Sequence, residues 1–292
     1  MYIHPSLNRC LALIEQVHRS AFGNNIGLLI TGLSGVGKTS MARMYIERHP
    51  LIQREDRNII PVLYVKLTET KTAVDFLLQI VKKITLVLGK NTTKAHVVQD
   101  RLSVLLKAHR VELIIIDEVQ ECLTDLDGIT SQRMAKQIAA LIDNNPKTSI
   151  VLIGTPLAGR LLRLKYGPAT HRLQGEEQLS RRFLAEQSLY PLPSRCEAWL
   201  DCCNYFATQF RLPDFSLSDK AILNRLHVAT FGRPGLLEKL FSVACTVSGE
   251  VMLAKLESAY LIGINSSAYN PFDPEELSDK QIIHLLESRE NR

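Results

Sequence analysis

The chain lacks any unbroken apolar run of the roughly 18 residues that a membrane-spanning helix needs, so no part of it is expected to enter a bilayer. Its opening stretch, Met1 to Cys10, has no basic region leading into an apolar segment and a small-residue cleavage site, so it does not read as a secretory signal. Six cysteines are present, Cys10, Cys122, Cys196, Cys202, Cys203 and Cys245, and none stands in a C-x-x-C pair. That spacing argues against a zinc site or a disulfide framework and for bystander or buried thiols in a reducing cytoplasm. Aromatic residues are only 6% and are not interleaved with the basic ones, which disfavours stacking of single-stranded bases. There is no low-complexity tract and no internal repeat. Neither sign of charge dominates: 35 Lys and Arg face 30 Asp and Glu, a net charge of +5. Such a balance suits contact with a polyanion without requiring one.

What is present is a chain of 292 residues with 46% hydrophobic content, enough for one large or two modest domains with real cores. Leu7, Leu11, Ile14, Val17 and Ala21 repeat at helical spacing over 6–21. A turn at Asn24-Asn25 leads to a short apolar strand over 26–31. Beyond it, strands are expected at 59–67, 112–117, 149–154 and 187–192, and helices at 39–47, 72–88, 94–109 and 130–143. This alternation predicts an α/β fold, a parallel sheet covered by helices on both faces. After Pro191 and Pro193 only helical periodicity remains, over 194–210, 218–230, 234–248 and 250–263. The expected division is therefore an α/β nucleotide-binding core (1–193), an α-helical lid (194–264) and a peripheral tail (265–292).

Between the first strand and the helix after it stands Gly32-Leu-Ser-Gly-Val-Gly37-Lys38-Thr39, which fits G-x-x-x-x-G-K-[ST]. Glycines let backbone N–H groups curl round phosphates where a Cβ would intrude. Lys38 brings a cation to the terminal phosphates, the Thr39 hydroxyl is suited to Mg²⁺, and the helix that follows points its positive end at the anion. Gly32, Ser34, Gly35, Val36, Gly37, Lys38, Thr39 and Ser40 are the expected contacts to ATP.

Leu113-Ile-Ile-Ile-Asp117-Glu118 sets two carboxylates at the end of a buried strand. Asp117 is suited to hold Mg²⁺ through water and Glu118 to act as general base on the attacking water; the bland alternative is an acid capping the next helix. Ser149 to Gly154 is another buried strand, and Thr155 follows it. Strand ends of a parallel sheet face the ligand crevice, so Thr155 is a candidate to sense the γ-phosphate or simply a turn residue before Pro156. Glu176-Glu-Gln-Leu-Ser-Arg181-Arg182-Phe183 offers two arginines, either a solvated pair or a source of charge for a transferring phosphoryl group. Phe231-Gly-Arg233-Pro-Gly opens a helix of the C-terminal segment.

Taken in order, these elements resemble the AAA+ ATPases over nearly the whole chain. The resemblance implies that Thr155 is sensor 1, that Arg181 or Arg182 is an arginine finger completing a neighbour's site, with Arg182 favoured by its place before the apolar residue, and that Arg233 is sensor 2. It also implies ring or helical assemblies. Asp117-Glu-Val-Gln120, Ile153-Gly-Thr-Pro156 and Leu179-Ser-Arg-Arg-Phe183 are similar to the transposition ATPases TniB and TnsC, although Val119 stands where that group commonly has Ala. The family resemblance implies an ATP-dependent, cytoplasmic protein that binds double-stranded DNA and links a TniQ-type target selector to a DDE transposase. A secretion or signalling ATPase and a helicase or clamp loader are the alternatives in other classes. The candidate DNA contacts are Lys71, Thr72, Lys90, Lys94 and Arg101, binding phosphates without reading bases; a solvated helix face is the plain alternative.

Overall fold

The computed structural model describes residues 2–20, 25–85, 94–123, 129–163, 179–247, 251–265 and 269–290. Contacts divide the chain into two compact units: one of Arg9–Gly32 and Lys38–Leu189, the other of Met1–Asn8, Leu33–Gly37 and Tyr190–Arg292.

The first unit is built on a sheet of five parallel strands in the order β4-β5-β6-β1-β7. They are β1 (Leu28–Gly32), β4 (Val62–Lys66), β5 (Leu113–Asp117), β6 (Ser149–Gly154) and β7 (Gln187–Leu189). Every residue of β1, β5 and β6 is buried, as a central parallel strand covered on both faces requires. Helices α2 (Lys38–Glu47), α3 (Ala73–Ile84), α4 (Ala95–Ala108) and α5 (Ile129–Asn144) cover it, and a single turn, α6 (Arg160–Arg163), follows β6. The core between sheet and helices includes Phe76, Leu77, Ile80, Leu102, Met134 and Ile138 against Ile114, Ile116 and Leu152. Full burial of such a side chain is worth about 1.5–3 kcal/mol. Helix α1 (Pro5–Ser20) precedes the sheet and begins in the other unit.

The strand expected over 59–67 proves to be two pieces. A short antiparallel pair joins β2 (Ile52–Gln53) to β3 (Asn58–Ile59), and β4 starts only at Val62. Pro61 has no N–H to give a ladder, so it stands at the break; its carbonyl still accepts from the N–H groups of Glu112 and Leu113. The last strand stops at Leu189, short of the expected 192, because Tyr190 precedes Pro191.

In the second unit α7 (Glu197–Gln209), α8 (Lys220–Thr230), α9 (Pro234–Ala244) and α10 (Met252–Gly263) pack round Trp199, Phe206, Leu226, Leu240, Phe241 and Leu256. Residues 269–290 are not peripheral, contrary to expectation. Phe272 is fully buried in this core, and Ile282 and Leu286 of α11 (Asp279–Glu290) pack on Val228. Arg225 ties the segment down: its buried guanidinium donates to the carbonyls of Pro271 and Leu277 and to Asp279 Oδ1 at 2.6 Å. A scattered apolar pattern after a turn hid this anchoring, because the partner arginine lies on a different helix.

Candidate nucleotide site

The parallel register sets the ends of β1, β5 and β6 side by side, and the chemistry-bearing residues follow those ends. Gly35 (φ +85°) and Gly37 (φ +100°) adopt backbone that other residues rarely take, which lets the loop after β1 coil back on itself. Lys38 opens α2, buried, with Nζ donating to the carbonyl of Gly32 at 2.7 Å. Burial pushes its ammonium below the usual lysine range, and the carboxylates of Glu118 and Asp117 pull it back up. Val36 is buried, whereas Ser34 and Ser40 are exposed.

Asp117 is fully buried and its carboxylate is met by three donors. Thr39 Oγ1 donates to Oδ2 at 2.7 Å, Tyr64 OH donates to the same oxygen at 2.8 Å, and the backbone N–H of Glu118 donates to Oδ1 at 2.9 Å. A buried charge is tolerable only with such partners. Sequence reading paired Thr39 with Asp117 as ligands of one ion, and the structure brings them into direct contact. It missed Tyr64. The signal lay in sheet register, since Val62 to Lys66 run alongside Leu113 to Asp117. The same hydrogen bond and burial raise the Tyr64 phenol well above its ordinary value, with burial the larger cause.

Glu118 lies beside this buried pair in a different setting. Its backbone is left-handed (φ +57°), sparsely populated for a residue with a side chain, and it caps a 3-10 turn over Val119–Cys122. Its carboxylate is partly exposed, with Oε2 accepting from Gln120 Nε2 at 2.6 Å and Oε1 3.9 Å from Lys66 Nζ. Thr155 follows β6 in extended backbone, its N–H donating to Gln120 Oε1 at 3.0 Å. Hard oxygen donors on Thr39 and Asp117, a buried lysine and a glycine-shaped loop suit Mg²⁺ and a polyphosphate.

The two arginines part company. Arg182 forks onto Asp143, Nε to Oδ1 and Nη2 to Oδ2, each at 2.7 Å, and this hydrogen bonding raises its pKa further. Arg181 is exposed. Within the helical unit, Arg233 donates to the Ser34 carbonyl at 3.4 Å and lies 5.1 Å from the Phe231 ring centroid, while the N–H of Gly235 donates to the Gly35 carbonyl at 2.8 Å. Desolvation lowers the Arg233 pKa.

Of the basic candidates, Lys71 is exposed and paired with Glu69 at 2.9 Å. Thr72 caps α3 in a reciprocal box, its side chain accepting from Asp75 N while its own N–H donates to the Asp75 carboxylate. Lys94 stands at the start of α4 and Arg101 within it. Lys90 lies outside the described residues, as do Asn24 and Glu176 to Gln178. No helix among the described residues is long and apolar enough to cross a membrane.

Residues 2–188 match the family model for bacterial TniB protein. No curated protein matches significantly. Among solved structures, the ADP form of the ORC2 protein of Aeropyrum pernix superposes with a TM-score of 0.60 at 14% identity, over 91% of this chain and 72% of that one. Cdc6p from Pyrobaculum aerophilum gives 0.56 at 12% identity, over 84% and 63%. Domain III of the replication initiation protein DnaA of Thermotoga maritima gives 0.51 at 17%, over 90% and 95%. At such identities the likeness is one of fold, and the fold is that of the AAA+ ATPases.

Proposed function

The chain belongs to the TniB family, and from that premise we propose that it is an ATP-driven regulator of DNA transposition working in the cytoplasm. The observation that carries this reading is the contact of Thr39 with the buried Asp117, beside Glu118 and next in sequence to Lys38. Backbone N–H groups of the loop from Gly32 to Gly37 cradle the phosphates of ATP, with Ser34, Val36 and Ser40 lining its course, and Lys38 leaves the Gly32 carbonyl to meet the β- and γ-oxygens. Thr39 and Asp117 would hold Mg²⁺, which when bound neutralises charge on the phosphates. Glu118 takes the proton of the attacking water and Thr155 senses the γ-phosphate.

A second subunit completes the site. Arg181, which is exposed, or Arg182, whose part-exposed pair with Asp143 is readily exchanged, serves as its finger, with Arg182 favoured by its place before Phe183. Arg233 is assigned as the arginine that reports on nucleotide from the helical lid. Nucleotide thereby favours an assembled state, ring or filament, and hydrolysis releases it. That assembly binds the backbone of double-stranded DNA through Lys71, Thr72, Lys90, Lys94 and Arg101 and presents a surface to a TniQ-type selector and a DDE transposase.

Sedimentation with duplex DNA, with and without ATP and at two salt concentrations, tests the proposal. Large ATP-dependent complexes that weaken steeply with salt are expected. A protein that stays monomeric under every condition sinks the transposition reading; one that assembles with ATP but ignores DNA points to a signalling ATPase instead.

A further inference from the structure

Gln120 lies in the 3-10 turn after Glu118, and its side-chain amide is held at both ends. Nε2 donates to Glu118 Oε2 at 2.6 Å, and Oε1 accepts from the backbone N–H of Thr155 at 3.0 Å. These partners dictate which end of the amide is which. A main-chain N–H requires an acceptor and a carboxylate requires a donor, so the flipped amide would set oxygen against oxygen at one end and N–H against N–H at the other. The backbone makes room for this arrangement: a Cβ added to Gly154 would come within 2.7 Å of Gln120 Oε1 and 2.8 Å of the Ala158 Cβ.

Among the described residues Gln120 takes Oε2 of Glu118, while Oε1 lies 3.9 Å from the Lys66 ammonium and the side chain is 30% exposed. A carboxylate on free torsions samples many orientations. One pinned by a single oxygen presents the other in a fixed direction, which is the condition for efficient proton abstraction. The second bond of Gln120 ties that direction to the end of β6, where Thr155 stands.

We propose that Gln120 is a positioning residue for hydrolysis: it holds Glu118 Oε2, leaves Oε1 for the attacking water, and couples the general base to the strand end that carries Thr155. The proposal rests on Glu118 being the base and names the side chain that aims it. No bond is made or broken by Gln120; the proton passes from water to Glu118 Oε1.

Steady-state ATPase assays on the full chain test this with Gln120→Glu and Gln120→Ala beside Glu118→Gln. Gln120→Glu keeps the size of the side chain and an acceptor for Thr155 N, and sets a second carboxylate where the donor to Glu118 stood. Its kcat should fall about 10- to 100-fold. KM, binding of a fluorescent ADP analogue and Tm should stay near the parent values. Gln120→Ala, which removes both bonds, should lose kcat at least as far with KM near the parent value. A parent-like kcat in Gln120→Glu overturns the proposal, as does a loss confined to KM or Tm, which marks a structural role. The control separates the two ideas: an inactive Glu118→Gln beside a fully active Gln120→Glu sinks the positioning role alone, whereas normal turnover by Glu118→Gln sinks the base assignment.

Discussion

The two ends of one sheet are built on opposite plans. At the N-terminal ends of β5 and β6 the polar groups are closed off by one another and by main-chain carbonyls. Asn25 donates to the carbonyls of Ile142 and Asn145 and accepts from Ser149 Oγ, Thr148 donates to the Val111 carbonyl, and Asn145 to that of Leu141. The charge nearest these ends, the Glu112 carboxylate, is met by His18 Nε2 at 3.2 Å. The C-terminal ends gather a buried lysine, a buried aspartate, a glutamate in left-handed backbone and a side-chain amide with a carboxylate partner. Identical strands thus carry a fastening at one end and stored charge at the other. Stability and chemistry are kept apart by the full length of the strand.

That separation can be tested by damage at each end. Glu118→Gln strikes the charged end, and kcat should fall about 10²- to 10⁴-fold with Tm nearly unchanged, read by phosphate release and thermal melting. Asn25→Ala strikes the fastened end and leaves several groups short of partners. Its cost should be about 1–3 kcal/mol in denaturant unfolding, with parent kcat well below the melting range. A large activity loss there would break the comparison. Tyr64→Phe removes one of three donors to Asp117 and so touches both properties lightly, with an expected cost of about 1 kcal/mol and a fall in kcat of several-fold.

The smallest effect concerns pH. His18 is held between Tyr45 OH at 2.9 Å and Glu112 at 3.2 Å, and its pKa is lowered, first by burial and then by His49, against the upward pull of Glu112. A histidine with a lowered folded pKa contributes stability that is complete above its ordinary value near 6.5 and lost as pH falls below it, because the unfolded chain takes up the proton first. Melting curves from pH 7 to 5 should therefore show Tm falling, and His18→Gln should flatten that slope.

What could be read from the sequence was whatever neighbouring residues decide among themselves. The phosphate loop, the buried run before Asp117 and the alternation of strands with helices are of this kind, since glycine conformation and apolar periodicity are local properties. Contacts made by register were invisible. Tyr64 reaches Asp117 because β4 runs beside β5, and Arg182 meets Asp143 from a distant segment. Gln120 was in plain view two residues past Glu118, yet its significance depends on where β6 ends. The anchoring of Phe272 by a helical core is hidden for the same reason, whereas Pro61, which divides the strand expected over 59–67, stands in the sequence itself.

One consequence concerns how such a chain can be trimmed or shuffled. The stretch Leu33–Gly37 belongs by its contacts with Tyr190–Arg292, and the Gly35 carbonyl takes the N–H of Gly235. A fragment stopping at Leu189 would retain Lys38, Thr39, Asp117, Glu118 and Thr155 and yet lose the segment with which the Leu33–Gly37 loop groups. Exchange of C-terminal segments between homologues is thereby constrained: a transplanted segment must arrive already fitted to the recipient's glycines, so the two stretches are expected to travel through evolution as a matched set.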